Sequence, residues 1–78
     1  MFIMVVTDNC PRCKGSEAAL EKAGLLDKVD LVNISTDRGR ELATEYKLTM
    51  AGSDILDISN ATKMSVSDFI ESQAASNA

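Results

Sequence analysis

A run of six residues, FIMVVT at positions 2–7, constrains the fold more than any other segment of this sequence. The run is apolar almost throughout and contains valine and isoleucine, instead of alternating between apolar and polar residues. A strand of this composition is typically buried on both faces, so it needs layers of structure above and below it. We therefore predict that residues 2–7 form a central strand of an α/β sheet.

A helix is predicted directly after this strand, beginning at Cys10 or Pro11. Proline is favoured in the first helical turn, and Gly24 is a typical C-terminal stop. A second valine-rich run at 29–34 follows, so one helix joins two strands, which favours their parallel pairing. The spacing of apolar and small residues predicts that this helix has an inner face of Ser16, Ala19, Leu20 and Ala23.

The second half of the sequence predicts a helix at 37–46 and a third strand at 54–58. A very short fourth strand, KM, would place Lys63 where it protects a sheet edge from pairing with another chain. Ser65 is the predicted cap of a last helix. The inner residues expected for the second and third helices are Leu42, Ala43, Tyr46, Val66, Phe69 and Ile70.

The predicted order is therefore β-α-β-α-β-(β)-α, which places the chain in the α/β class. With 78 residues, we expect a single domain at 1–78, with a frayed tail at 74–78. A domain this small buries only about 60% of its unfolded surface, so the core should be compact. Asn33 and Asp57, two polar residues within predicted strands, are expected to be exposed or to face turns.

Charge and composition argue against several classes of function. The net charge is −4, and nucleic-acid binding is not expected because its affinity comes from neutralising phosphates. Histidine is absent, so a single chain cannot carry out Ser-His or Cys-His hydrolysis. The apolar run is shorter than the roughly 20 residues that span a membrane, and it lacks the features of a signal peptide. We therefore expect no membrane association and a cytoplasmic location.

The two cysteines lie three positions apart in the segment VVTDNCPRCKGSE. Cys10 is predicted where the strand ends and the helix begins, so its sulfur would face the positive end of the helix dipole. A helix N-terminus and nearby cations, here Arg12 and Lys14, lower the pKa of a cysteine from about 8.5 to about 3.5–7.5. Pro11 would stiffen the link between Cys10 and Cys13. These features indicate a nucleophilic Cys10.

Three interpretations of the pair remain open. In the first, Cys10 attacks a substrate disulfide, and Cys13 then attacks Cys10 and releases the reduced product. In the second, Cys10 holds a metal ion or iron–sulfur cluster between subunits, because one pair supplies only two of the four ligands of a closed zinc site. In the third, the pair is structural and inert. The position at a strand-to-helix junction favours the redox interpretation.

The CPRC motif at the end of a short first strand, with this element order in under eighty residues, resembles the glutaredoxins and small thioredoxin-like proteins. Glutaredoxins typically carry Cys-Pro-x-Cys, and ELATEYKL is similar to the second helix and following turn of their fold. The resemblance implies a thioredoxin fold, in which three helices flank a central mixed sheet of four strands. It also implies that Cys10 is the nucleophile and Cys13 the resolving thiol.

The sequence departs from this family in the loop before the third strand. The family has a cis-proline there, whereas Pro11 is the only proline of this chain, and Gly52 falls at the expected position. A cis bond at a residue other than proline costs about 3 kcal/mol, so we expect a trans and more mobile loop. The resemblance implies that the substrate backbone binds this loop, which consists of Met50, Ala51, Gly52 and Ser53.

The glutathione site of the family is also altered. TKMSVSD replaces the usual glycine pair before the last helix, and Asp8 stands near the position of a common lysine. The remaining candidate contacts for glutathione are Arg38, Arg40 and Lys47, which can pair with carboxylates or remain solvated on the surface. Arg12 occupies the variable position of the motif, where it would contact substrate or tune Cys10.

These features predict a thiol–disulfide oxidoreductase that acts as a monomeric small electron carrier with no bound cofactor. Electrons would come from glutathione or from a flavoprotein dithiol reductase system. The resemblance implies a disulfide-containing protein substrate, for which a ribonucleotide reductase is typical of the family. The alternative is the metal or cluster carrier, with Cys10 between subunits.

Overall fold

The computed structural model describes residues 1–76, with side chains described through residue 74. Within these residues the chain forms four strands, three α-helices and one short 3₁₀ helix, Leu26–Lys28. The strands are β1 (Phe2–Val6), β2 (Val29–Asn33), β3 (Asp54–Asp57) and β4 (Thr62–Ser65). The α-helices are α1 (Pro11–Lys22), α2 (Asp37–Glu45) and α3 (Val66–Ser76). The α/β class and the predicted order of elements are confirmed.

β1 lies in the interior of a mixed four-stranded sheet whose strand order is β2-β1-β3-β4. β2 pairs with β1 in parallel along the whole length of both strands, as the single intervening helix predicts. β3 is antiparallel to β1, and β4 is antiparallel to β3. Ile3, Met4 and Val5 are at most 2% exposed, which confirms a central strand that is buried on both faces.

Two apolar clusters cover the two faces of the sheet. On one face Leu20 of α1 and Phe69 of α3 pack with Met4 of β1. On the other face Leu42 of α2 packs with Ile3 of β1. Successive residues of β1 enter opposite clusters because side chains alternate across a strand, which is why the run is apolar throughout. The inner residues predicted for α2 and α3 are buried or half-buried, namely Leu42, Ala43, Tyr46, Val66, Phe69 and Ile70.

Local capping signals set the ends of the helices. At the end of α1, the Leu25 N–H donates to the Leu20 carbonyl at 2.8 Å, and Gly24 has a φ of 74°. This Schellman arrangement needs a left-handed residue at the position of Gly24. At the start of α3, the Ser65 hydroxyl oxygen accepts the Asp68 N–H at 3.1 Å. The predicted stop at Gly24 and cap at Ser65 are both confirmed.

The inner face of α1 differs from the prediction. Cys13 and Leu20 are buried and Ser16 is half-buried, whereas Ala19 and Ala23 are exposed. The predicted face is therefore right for Ser16 and Leu20 and wrong for the two alanines. Burial of Cys13 sets the rotation of the helix, and residues three and seven positions later then lie on the same face.

Asp57, expected to be exposed or to face a turn, faces the turn after β3 but is only 8% exposed. Its carboxylate accepts a hydrogen bond from the Asn60 amide nitrogen at 2.7 Å. Burial of a carboxylate is tolerated when such a partner is present. Asn33 is half-buried at the end of β2, where its amide donates to the Asp8 carboxylate at 3.2 Å.

The last part of the chain is more regular than the sequence indicates. β4 has four residues instead of the predicted two, and Lys63 is exposed on this edge strand. α3 continues through Ser76, so it overlaps the tail predicted at 74–78. Residues 77–78 of that tail lie outside the described residues.

Candidate active site

The two cysteines form a disulfide at the N-terminus of α1. The Cα atoms of Cys10 and Cys13 are 5.2 Å apart, within the usual disulfide range of about 4.4–6.8 Å. Cys10 is the N-cap residue with an extended backbone, and Pro11 is the first residue of the helix. The strand-to-helix junction predicted from the sequence therefore positions both sulfur atoms.

The N-terminus of α1 supplies a hydrogen-bond donor to Cys10. The backbone N–H of Cys13 donates to Cys10 Sγ at 3.0 Å, so the sulfur occupies the place of an ordinary capping oxygen. The first turn of α1 contains no acidic residue, and Arg12 and Lys14 are exposed on it. When the disulfide is reduced, this N–H, the helix dipole and the two cations favour negative charge on Cys10 Sγ.

The two sulfur-bearing residues differ in exposure. Cys13 is 3% exposed, whereas Cys10 is half-buried at the surface. A large disulfide substrate can therefore approach Cys10 from solvent, while Cys13 is covered by protein. Cys13 is therefore the more buried of the two cysteines.

Gly52 covers Cys13 from the loop that precedes β3. Its backbone N–H donates to the Val5 carbonyl at 2.8 Å, which ties the loop to the sheet. Its φ is 74°, in the left-handed region that favours glycine. A Cβ atom at Gly52 would lie 2.7 Å from Cys13 Sγ and 2.8 Å from Cys13 Cα. Only a residue without a side chain therefore fits against Cys13 in this conformation.

Ser16 fixes the position of this loop, a role that the sequence analysis missed. Its hydroxyl donates to the Gly52 carbonyl at 2.5 Å. Cys13 and Ser16 are three positions apart on a helix, so a hydroxyl beside the cysteine was the available signal. The fact that this hydroxyl meets a backbone 36 positions away could not be inferred from that spacing.

Replacing Ser16 with alanine is expected to destabilise the protein by about 1–3 kcal/mol, because the buried Gly52 carbonyl loses its donor. Alkylation of Cys13 in the reduced protein should become faster as the loop loosens, with little change at Cys10. Ser53→Ala is the matched control, since its hydroxyl donates to the Met50 carbonyl at 3.0 Å in the same loop. Equal exposure of Cys13 in both variants would contradict a role for Ser16, and denaturation with mass-resolved alkylation measures both effects.

The other side of the loop lies beside Cys10. Cys10 Sγ is 4.0 Å from the Ala51 carbonyl oxygen, and Met50 is half exposed. Arg12 Nη1 donates to Met50 Sδ at 2.8 Å, so an arginine on α1 reaches across to the loop. The loop residues Met50, Ala51 and Gly52 therefore lie beside the CPRC segment, and their role in binding a substrate backbone stays a prediction. No peptide bond within residues 1–76 is cis, so the loop is trans as expected.

The candidate glutathione contacts lie on or just after α2, the helix on the sheet face opposite α1. Arg38 and Lys47 are exposed, and Arg40 forms an ion pair of 2.6 Å with Asp37 on its own helix. The Lys47 carbonyl accepts a hydrogen bond from the Lys63 side chain. A role for these residues in binding glutathione stays a prediction.

Two further features bear on the sequence predictions. Within residues 1–76, no three histidine, cysteine, aspartate or glutamate side chains are grouped so that they could hold a metal ion. No helix in the same part of the chain combines the length and apolar character needed to cross a bilayer.

Comparisons with known proteins give no relative for this chain. No protein-family model matches it, and neither a curated protein nor a solved structure is found to be similar. The functional inference therefore depends on the chemistry and geometry of the residues themselves.

Proposed function

We propose that this protein is a thioredoxin-like thiol–disulfide oxidoreductase in which Cys10 is the nucleophile and Cys13 the resolving thiol. One observation carries the proposal: a bridged cysteine pair at a helix N-terminus has one half-buried, capped sulfur and one covered sulfur. A purely structural disulfide has no need for this asymmetry. Reactive dithiols need it, because one thiol attacks the substrate disulfide and the other must be kept from the substrate until the mixed disulfide has formed.

The arrangement of elements supports the same proposal. Two helices pack on one face of a mixed sheet and one on the other, and the cysteines follow its interior strand. A thioredoxin fold has these parts in this order. Gly52 stands where that fold has its cis-proline, and it contacts Cys13 from the loop before β3. We infer a variant of the fold in which glycine replaces the proline.

The reaction begins with the reduced protein. The Cys10 thiolate attacks one sulfur of a substrate disulfide, a bond forms between them, and the other substrate sulfur leaves as a thiolate that takes up a proton. The Cys13 thiolate then attacks Cys10 Sγ, restores the Cys10–Cys13 bond and releases the second substrate thiolate. Two electrons pass to the substrate in total. A dithiol or two molecules of a monothiol such as glutathione return them to the protein.

The proposal includes a substrate class and an electron source. A half-buried Cys10 at the surface suits a disulfide on a protein or a mixed disulfide with glutathione. Glutathione or a flavoprotein dithiol reductase would supply the electrons, and the protein would act as a carrier between them. The small size of the domain suits a carrier, since little surface remains for a deep substrate pocket.

The reduction potential of the pair tests this function. The protein is equilibrated in thiol–disulfide buffers of graded potential, and free thiols are counted by mass-tagging. We expect one two-electron transition between roughly −180 and −270 mV, the range of working oxidoreductases. In the reduced protein at neutral pH, Cys10 should be alkylated faster than Cys13.

Two results would overturn the proposal. The first is the absence of an intramolecular disulfide at every potential, in which case the metal content of anaerobically purified protein becomes the next measurement. The second is slow and equal alkylation of both cysteines, which is typical of an inert pair. For a two-electron couple, the ratio of reduced to oxidised protein changes tenfold for every ~30 mV of buffer potential. This steepness distinguishes the formation of one disulfide from independent reactions of two single thiols.

A further inference from the structure

Within the part of the chain that the structure describes, the guanidinium of Arg12 has no anionic partner. Its hydrogen bond goes to Met50 Sδ, and a thioether is a weak acceptor. The ion pair found within residues 1–76 joins Arg40 to Asp37 instead. A guanidinium has five N–H donors in a planar fork that matches a carboxylate. A carboxylate brought to the site would therefore replace a weak contact of Arg12 with a strong one.

The two sides of Cys10 differ in charge. Asp8 supplies the acidic group, and its carboxylate accepts a hydrogen bond from the Asn33 side-chain amide at the end of β2. Arg12 is held by Met50, in the loop before β3. β2 and β3 lie on opposite sides of β1, so the acidic and basic groups flank the end of β1 from opposite sides. A substrate chain crossing Cys10 therefore meets an anion on one side and a cation on the other.

We propose that the preferred substrate is a polypeptide disulfide with an aspartate or glutamate beside its reactive cysteine, and that Arg12 recognises this carboxylate. This inference rests on the proposed oxidoreductase function and names the substrate class of the same site. The carboxylate pairs with Arg12 and displaces Met50, whose half-exposed side chain then contacts the substrate backbone. The charge asymmetry places the acidic residue on the β3 side, which orients the substrate chain.

Three synthetic peptides test the inference. They carry one cysteine as a mixed disulfide with uncharged 2-mercaptoethanol, and they have glutamate, glutamine or lysine next to it. The protein is recycled with an uncharged dithiol, and kcat/KM is measured at low and high salt for wild type, Arg12→Gln and Lys22→Gln. Lys22→Gln removes the same charge from the far end of α1, so it controls for net charge.

The wild type is expected to prefer the glutamate peptide over the glutamine peptide by about fivefold at low salt, the effect of an exposed charge pair. The lysine peptide should be the poorest substrate. At ~1 M salt, where charges are screened beyond about 3 Å, the preference should fall towards one. Arg12→Gln should abolish the preference, whereas Lys22→Gln should retain it.

Equal rates with all three peptides would overturn the inference and leave the oxidoreductase function intact. Equal loss of the preference in Arg12→Gln and Lys22→Gln would also overturn it, because net charge alone would then be responsible. A titration with peptides in which serine replaces cysteine separates binding from chemistry by following the Arg12 Nε–Hε resonance. If no peptide is reduced but only the glutamate peptide shifts this resonance, the recognition stands and the oxidoreductase proposal falls.

Discussion

Replacing Cys10 with serine is expected to reduce disulfide reduction to the uncatalysed rate. A serine hydroxyl is not ionised at neutral pH and does not attack a disulfide, and the covered Cys13 cannot meet a large substrate in its place. The effect should be complete with protein disulfides, because they are too bulky to reach the site of Cys13. Turnover of a labelled protein disulfide with an excess of dithiol measures it.

Cys13→Ser is the matched variant, because it makes the same replacement of sulfur by oxygen at the other cysteine, one helical turn later. It retains the first attack and lacks the second, so it should accumulate a mixed disulfide between Cys10 and the substrate. Mass spectrometry detects this adduct directly. If Cys10→Ser instead forms the adduct and Cys13→Ser does not, the roles of the two residues are exchanged.

The stability reference for both variants is the reduced wild-type protein. The disulfide closes a loop of only a few residues, for which loop entropy gives about 2 kcal/mol of stabilisation. Either serine variant should therefore unfold close to the reduced protein and about 2 kcal/mol more easily than the oxidised protein. A much larger loss would show that the substitution damages the fold as well as the chemistry.

Replacing Gly52 with alanine is expected to destabilise the reduced protein by about 2–5 kcal/mol. A left-handed backbone costs a residue with a Cβ about 1–2 kcal/mol, and insertion of a methyl group into a packed site adds about 1–3 kcal/mol. Here the methyl group would lie 2.7 Å from Cys13 Sγ and 2.8 Å from Cys13 Cα. Relief requires that the loop moves away, so Cys13 should also be alkylated faster.

Gly24→Ala provides the control for this substitution. Gly24 has the same φ of 74°, but a Cβ there has no neighbour within 4 Å. Gly24→Ala should therefore lose only the stability that the left-handed backbone costs a residue with a Cβ. The difference in the free energy of unfolding between the two variants then measures the contact of the added methyl group with Cys13. Urea denaturation of the reduced proteins measures both values. Equal destabilisation by the two substitutions would mean that Gly52 does not press against Cys13.

The elements of the fold could be predicted because local signals specify them. The unbroken apolar run requires a central strand, Pro11 and Gly24 mark the two ends of α1, and Ser65 caps α3. Each signal acts within a few residues of the feature it sets. The proximity of Cys10 and Cys13 follows for the same reason, because the two residues are only three positions apart, about one helical turn.

The rest of the candidate site depends on contacts between distant parts of the chain. Ser16 meets Gly52 and Arg12 meets Met50 across 36 and 38 positions, and these distances along the chain are far longer than any single helix or strand. The predicted inner face of α1 was wrong at Ala19 for the same reason. Contact with the Gly52 loop, together with the packing of the sheet, holds Cys13 inside the protein and turns the helix. The spacing of apolar and polar residues within α1 therefore does not predict that contact.

The interior position of β1 has a consequence for synthesis on the ribosome. β1 precedes both strands that pair with it, and β3, its second neighbour, ends at Asp57. At about 5–20 residues per second, the nascent chain holds its most apolar strand without a complete set of partners for roughly 3–10 s. The sheet therefore closes late, and its most apolar strand is made before either of the strands that pair with it. Chaperones that bind short apolar segments would meet this protein at β1.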